Sequence, residues 1–228
     1  MARYLTGDQP LQHRIVQFHP SYGYEEFIEG LRPVARAGAI TFERTDGVVL
    51  DMANAMEDTE TPHVLVIDEL NRANIPRVFG ELLYLLEYRG KAINLQFSPG
   101  FELPPNLRFV ATMNTADRSI RSIDVALRRR FDIFECPADP DILRRYYDRR
   151  GNTNQVSNLI DGFETLNAEL QQRIDRHHTI GQSFFMAPLY TRELLERVWR
   201  RQIFPLIEEY FFDQPDVAAD FTLTRPLG

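Results

Sequence analysis

The sequence is almost without lysine: of its 26 lysines and arginines, Lys91 alone is lysine. Lysine is the side chain with which a phosphate-binding loop, Gly-x-x-x-x-Gly-Lys-Ser/Thr, reaches the terminal phosphates of a nucleotide. Lys91 stands in Arg89-Gly90-Lys91-Ala92 with no glycine-rich approach, so these residues contain no such loop. Cysteine is as scarce. Cys136 stands alone, which excludes an internal disulfide and any cysteine cluster for a metal. No apolar run approaches the roughly 20 residues of a membrane-spanning helix. The opening residues, with Arg3, Thr6 and Asp8, lack the pattern of a secretory signal. We therefore expect a cytoplasmic protein without a membrane segment. A net charge of −7 excludes the chain as a whole as a nucleic-acid-binding surface.

What is there is an ordinary globular composition, 43% hydrophobic and 26% charged, long enough for one large domain or two small ones. Residues 14–18 read as a short strand, followed by the loop His19-Pro20-Ser21-Tyr22-Gly23-Tyr24. Residues 25–31 read as helix, stopped by Pro33. Residues 40–44 and 48–50, joined by Thr45-Asp46-Gly47, resemble a hairpin, with a helix over 51–58. His63-Val64-Leu65-Val66-Ile67 is the clearest strand, an apolar run suited to a parallel sheet covered on both faces. A helix over 76–88 places Val78, Leu82, Leu85 and Leu86 on one stripe. Residues 108–112 predict a second buried strand running into Met113-Asn114, 122–130 a helix, and 131–134 a last short strand. Strands alternating with helices predict a layered α/β sheet. After Cys136-Pro137-Ala138-Asp139-Pro140 the character changes. Residues 141–149, 155–175 and 191–211 read as helices, with no strand of comparable strength. This predicts an α/β domain over 1–137 and a helical domain over 138–228.

The acidic pair Asp68-Glu69 ends the clearest strand. An aspartate there can hold Mg²⁺ through water and the adjacent glutamate can polarise an attacking water, although a solvated strand end has the same pattern. The next strand ends at Asn114, and in an open parallel sheet adjacent strand ends converge on one crevice. Asn114 could orient the same water or simply cap a turn. Arg128-Arg129-Arg130 close the following helix. Arginine suits a helix C-terminus for dipole reasons, and three together also suit an arginine finger acting in a neighbouring subunit. Tyr22 and Tyr24 could face nucleotide, a neighbour or the core, while His177 and His178 read as surface residues.

His63-Val64-Leu65-Val66-Ile67-Asp68-Glu69-Leu70-Asn71-Arg72-Ala73-Asn74, with Phe79-Gly80-Glu81-Leu82, resembles the Walker B region of McrB-type AAA+ proteins. Met113-Asn114-Thr115-Ala116-Asp117-Arg118-Ser119 is similar to that family's signature segment, and Asp124 through Phe131 to its arginine-finger helix. Val16 through Phe27 resembles the strand and loop after its first helix. Ile180-Gly181-Gln182-Ser183-Phe184-Phe185 and Ile203 through Phe211 resemble its lid.

The resemblance implies an AAA+ three-layer αβα parallel sheet followed by a small α-helical lid. It implies GTP or ATP hydrolysis with Mg²⁺ by ring-shaped homo-oligomers, hexamers in the family. Such rings drive an McrC-type nuclease in modification-dependent restriction and reach DNA indirectly, through another domain or partner. On this reading Asp68 holds the metal, Glu69, Asn114, Arg128 and Arg129 are catalytic, and Asp117, Arg118 and Ser183 bind nucleotide. Asn114-Thr115-Ala116-Asp117 also resembles a guanine-reading Asn-x-x-Asp, but it stands where sensor 1 belongs, and base identity stays open. Two departures matter. The P-loop is expected just upstream of Met1, so the chain reads as truncated after its Walker A motif and inactive alone. Gly181-Gln182-Ser183 replaces an expected Gly-His-Ser, which removes any histidine role there. Two other readings compete: a non-catalytic assembly subunit that lacks the P-loop, and a MoxR- or dynein-type chaperone ATPase.

Overall fold

In the computed structural model, residues 12–36, 38–56, 60–114, 125–151 and 156–223 are described. They fall into two units, Met1–Ile133 and Phe134–Gly228.

The first unit opens with β1 (His13–Gln17), after which a one-turn helix, α1 (Tyr24–Phe27), buries Phe27. β2 (Glu29–Arg36) and β3 (Ala39–Asp46) pair antiparallel, Arg36 opposite Ala39, with Gly38 in the left-handed region at the turn. This corrects two expectations. The helix expected over 25–31 stops after Phe27, and Pro33 lies within a strand opposite Phe42. The expected hairpin is displaced, because residues 48–50 begin a helix, α2 (Val48–Ala55), rather than a return strand. The physical reason lies in Glu29. Its fully buried carboxylate accepts from the N–H groups of Phe97 (2.6 Å) and Ser98 (3.1 Å), the Ser98 hydroxyl (2.5 Å) and Arg44 (3.0 Å). Those partners require the chain to leave the helix at residue 28. Gly47 follows β3, and a Cβ there would stand 2.5 Å from the Phe27 carbonyl carbon, so the segment crosses where only glycine fits.

β4 (His63–Asp68) is followed by a 3₁₀ turn (Leu70–Arg72), α3 (Ile75–Phe79) and α4 (Leu82–Glu87). The single helix expected over 76–88 is thus broken at Gly80. Its φ of +46° combined with ψ of −126° is open to glycine alone, and a Cβ would meet the Tyr24 ring at 2.8 Å. The apolar stripe survives the break, with Val78, Leu82 and Leu85 fully buried. A short antiparallel pair, β5 (Ala92–Ile93) and β6 (Phe101–Glu102), leads to β7 (Leu107–Ala111). β1, β4 and β7 form a parallel sheet in the order β1-β4-β7. Of the helix expected over 122–130, α5 (Val125–Arg128) lies among the described residues. The strand expected over 131–134 is absent. Ile133 and Phe134 are 45% and 76% exposed and have no strand to pair with among the described residues.

The second unit is helical: α6 (Pro140–Asp148), α7 (Ser157–Arg173), a 3₁₀ turn (Gln182–Phe185), α8 (Arg192–Val198), a π-helical stretch (Trp199–Ile203), α9 (Phe204–Tyr210) and α10 (Pro215–Ala219). Asp139 caps α6 by accepting the Asp141 N–H at 2.8 Å, and the Thr191 hydroxyl caps α8. Leu143, Phe163, Leu166, Leu170, Phe185 and Ile203 are fully buried in its core. His178, expected at the surface, is buried instead. Its Nδ1 lies 2.8 Å from Asp175 and its ring meets Tyr210 edge-on, two contacts that compensate a buried imidazole.

Burial opposes ionisation of Glu29, but hydrogen bonds from Ser98, Phe97 and Arg44 outweigh it and hold its carboxyl below the usual carboxylate range. A depressed folded value means stability that is present above the unfolded value and lost as pH falls through the folded one. Glu29→Gln is expected to lower unfolding stability at neutral pH by about 2 kcal/mol. It should also flatten the loss of stability below the ordinary glutamate range, measured by denaturant titration across acidic pH. An unchanged acid slope would contradict the clasp.

Candidate active site

Parallel pairing sets the site. Gln17 of β1 stands opposite Asp68 of β4, and Ile67 opposite Ala111 of β7, so the C-terminal ends of three adjacent strands lie side by side. Asp68 is the middle residue of that row and is gripped from both sides. The Thr112 hydroxyl donates to its Oδ1 at 2.5 Å, and Gln17 Nε2 donates to its Oδ2 at 3.3 Å. Each carboxylate oxygen keeps further lone pairs.

The chain reverses immediately after Asp68. Glu69 has φ +57° and ψ +45°, and among the described residues it alone, apart from glycines, has positive φ. A side chain larger than Asn or Asp in that region costs of order 1–3 kcal/mol and persists only where its surroundings hold it. Those surroundings are visible: the Glu69 N–H donates to Thr112 Oγ1 at 3.3 Å, and the Leu70 N–H to the Thr112 carbonyl at 2.9 Å. Arg72 Nε lies 3.3 Å from Glu69 Oε2 as an ion pair, yet its N–H does not donate there, and that buried oxygen has no hydrogen bond.

Asn114 follows β7 and is exposed, and its carbonyl accepts from the buried Asn71 side chain at 3.0 Å. Asn71 Oδ1 is buried without a hydrogen bond. The Arg128 and Arg129 side chains are exposed and make no hydrogen bond or ion pair with described residues, whereas Arg130 is largely covered and pairs with Glu87 at 2.6 Å. Asp117 and Arg118 lie outside the described residues. Ser183 is exposed on the second unit, within the Gln182–Phe185 turn. That turn follows a loop fixed by the buried Asn167, which accepts from the Ile180 N–H at 2.7 Å and donates to the Ile180 carbonyl at 3.2 Å. Tyr22 and Tyr24 pack against the core: Tyr22 stacks on Phe18, and the Tyr24 hydroxyl accepts from the Gln96 N–H at 3.5 Å. Burial raises Tyr22 to about 12, so it stays a neutral phenol.

Gln17, Asn71 and Thr112 escaped the sequence reading. The signal for two of them was register, since Gln17 and Thr112 flank Asp68 once the three apolar strands are laid side by side.

A parallel sheet whose central strand ends in an acidic pair, with a helical unit after it in the chain, has the arrangement of a nucleotide-binding α/β core followed by a helical domain. Residues 1–131 match the AAA domain of the dynein-related subfamily, and residues 158–219 match the McrB alpha-helical lid domain. The chain belongs to the AAA+ family, in its McrB-like branch. It is 34% identical over 236 residues to the EcoKMcrB subunit of the type IV methyl-directed restriction enzyme of Escherichia coli K12, covering 94% of this chain and 50% of that protein. It is also 25% identical to component YdiS of the type II restriction enzyme BsuMI of Bacillus subtilis 168, covering 88% of this chain and 69% of that one. The chain thus spans about half the length of its E. coli relative.

Proposed function

We propose that this chain carries the hydrolytic carboxylates of a GTP- or ATP-driven motor that powers an McrC-like nuclease. The observation that supports this most is Glu69, held in a left-handed turn directly after Asp68 at the end of the central strand of the parallel sheet. Glu69 is the group that polarises a water poised to attack a phosphate. Asp68 is the metal ligand. Its hard oxygens suit Mg²⁺, which keeps several waters and takes one or two carboxylates, and its two hydrogen bonds hold it ready. Mg²⁺ bound there would neutralise charge on the phosphate oxygens.

Asn114, three residues past the end of the adjacent strand β7, orients the same water. Arg128 and Arg129 are exposed and act across a subunit boundary in a homo-oligomeric ring, a hexamer by analogy with the family. Asp117, Arg118 and Ser183 contact nucleotide by the same resemblance, Ser183 from a lid that begins at residue 138. DNA is reached indirectly, through another domain or partner, and the setting is cytoplasmic.

The phosphate-binding half of the site needs backbone N–H groups and a lysine that these residues do not supply. The 228-residue chain alone is expected to release no appreciable phosphate from GTP or ATP with Mg²⁺, and several turnovers per minute would overturn that. With a Gly-x-x-x-x-Gly-Lys-Ser/Thr segment joined in front, Glu69→Gln should keep nucleotide binding and lose hydrolysis by roughly 10²–10⁴. Asp68→Asn should instead weaken Mg²⁺-dependent binding. Normal hydrolysis by Glu69→Gln would take the role of base away from Glu69.

The arginines are tested by mixing. In the P-loop-bearing form, Arg128→Ala or Arg129→Ala should depress turnover by as much as roughly 10³-fold while the fold survives, since a helix-end charge contributes about 0.3–1 kcal/mol. An arginine variant mixed with a Glu69→Gln subunit should regain part of the activity, because intact arginine and intact base meet at one boundary. No recovery in rings verified to be mixed would return both arginines to a structural role.

A further inference from the structure

Thr112 makes a hydrogen bond with each of four consecutive residues. Its N–H donates to the Ile67 carbonyl at 2.9 Å, its hydroxyl donates to Asp68 Oδ1 at 2.5 Å and accepts from the Glu69 N–H at 3.3 Å, and its carbonyl accepts from the Leu70 N–H at 2.9 Å. Two of these bonds belong to the backbone and continue the ladder between β4 and β7. The other two belong to the hydroxyl. They fall on the two residues that carry the carboxylates.

We propose that Thr112 is the positioning residue of the hydrolytic pair, its hydroxyl fixing both the rotation of the Asp68 carboxylate and the left-handed peptide at Glu69. The assignment rests on the reading of Asp68 and Glu69 given above. A hydroxyl carries one proton and two lone pairs, so a single group can donate to Asp68 and accept from Glu69 at once. The bond to Asp68 is charge-assisted and therefore short and strong. The bond from Glu69 satisfies the one backbone donor that a reversal at this point would otherwise leave without a partner in the sheet. Neither bond can be replaced by Gln17, which reaches the other Asp68 oxygen from β1.

The same residue ties the acidic pair to the segment carrying Asn114. Thr112 stands two residues before Asn114, and Asn71, two residues after Glu69, donates to the Asn114 carbonyl. The turn after β4 and the segment after β7 are therefore strapped at both ends.

Thr112 is exposed, so Thr112→Val removes the hydroxyl without opening a core cavity, and the backbone bonds to Ile67 and Leu70 remain. The first readout needs only the 228-residue chain. By NMR hydrogen exchange, the Glu69 amide should exchange at least about tenfold faster in Thr112→Val, while the Leu70 amide stays protected and Thr112→Ser behaves as the parent. In the P-loop-bearing form, Thr112→Val should lower kcat about ten- to a hundredfold with the nucleotide KM changed less than about threefold. Mn²⁺, used as the probe for the metal and titrated by electron paramagnetic resonance with a non-hydrolysable nucleotide, should bind about tenfold more weakly. Thr112→Ser should restore both, which a purely structural methyl contact would not predict. Unchanged Glu69 exchange, joint loss of Glu69 and Leu70 protection, or a raised KM at constant kcat would each overturn the assignment. Glu69→Gln measured alongside separates the two levels. If Glu69→Gln is inactive and Thr112→Val hydrolyses as the parent does, Thr112 alone loses its role. If Glu69→Gln is active, the reading of the site fails first.

Discussion

β4 is hydrogen-bonded along both edges, and that double pairing is the constraint on which the first unit depends. A strand so placed cannot slip register by one residue without turning Leu65 and Ile67, which share one face, away from the core cluster in which they are fully buried. Its last residue is therefore delivered to a fixed point between Gln17 and Thr112. The chain must then turn away at once, since Leu70, Asn71 and Ala73 are all buried behind it. The left-handed backbone at Glu69 is the outcome of those two demands. The strain at the acidic pair follows from packing on both sides of it and needs no flexible loop.

Both units use one buried polar side chain to fix a loop that apolar contacts cannot hold. In the first, Glu29 gathers the N–H groups of Phe97 and Ser98 and the Arg44 guanidinium. In the second, Asn167 in the middle of α7 spends both ends of its amide on the backbone of Ile180. Asparagine inside a helix is ordinarily unfavourable, and here the bonds to the loop offset that cost. Each clasp is satisfied at several atoms, which is what makes burial of such a group tolerable.

Legibility in the sequence followed burial closely. The strands around 63–67 and 108–112 were readable because a run buried on both faces is continuously apolar, and the long second-unit helix because its stripe repeats over many turns. The β2–β3 hairpin was misread for the opposite reason. Leu31, Ile40 and Phe42 are 47%, 73% and 67% exposed, so their hydrophobicity carried no information about a core face, and Pro33 argued for a stop where the strand runs on. Gly80 could not announce a break from pattern alone, because the stripe of Val78, Leu82 and Leu85 continues across it. The positions of Asp68 and Glu69 at a strand end were legible, but their neighbours were not. Gln17 and Thr112 lie 51 and 44 residues away along the chain, and only strand register brings them to Asp68.

The arginine run shows how far simple geometry separates like residues. Leu127 is buried, and the turn continues past α5, with the Arg130 N–H donating to the Leu127 carbonyl at 2.9 Å and the Phe131 N–H to the same oxygen at 3.2 Å. Residues three apart on such a turn share a face, so Arg130 lies on the side of Leu127, which directs it inward to Glu87. Arg128 and Arg129 fall about 100° and 200° around from Leu127 and have no such direction available. Three identical side chains thus divide by position alone into one that ties the helix end to α4 and two that stay in solvent. The exposed pair stands directly beside a third arginine that is anchored through Glu87. That combination suits a charge offered to another molecule, because the entropy still to be lost on contact is confined to the two side chains.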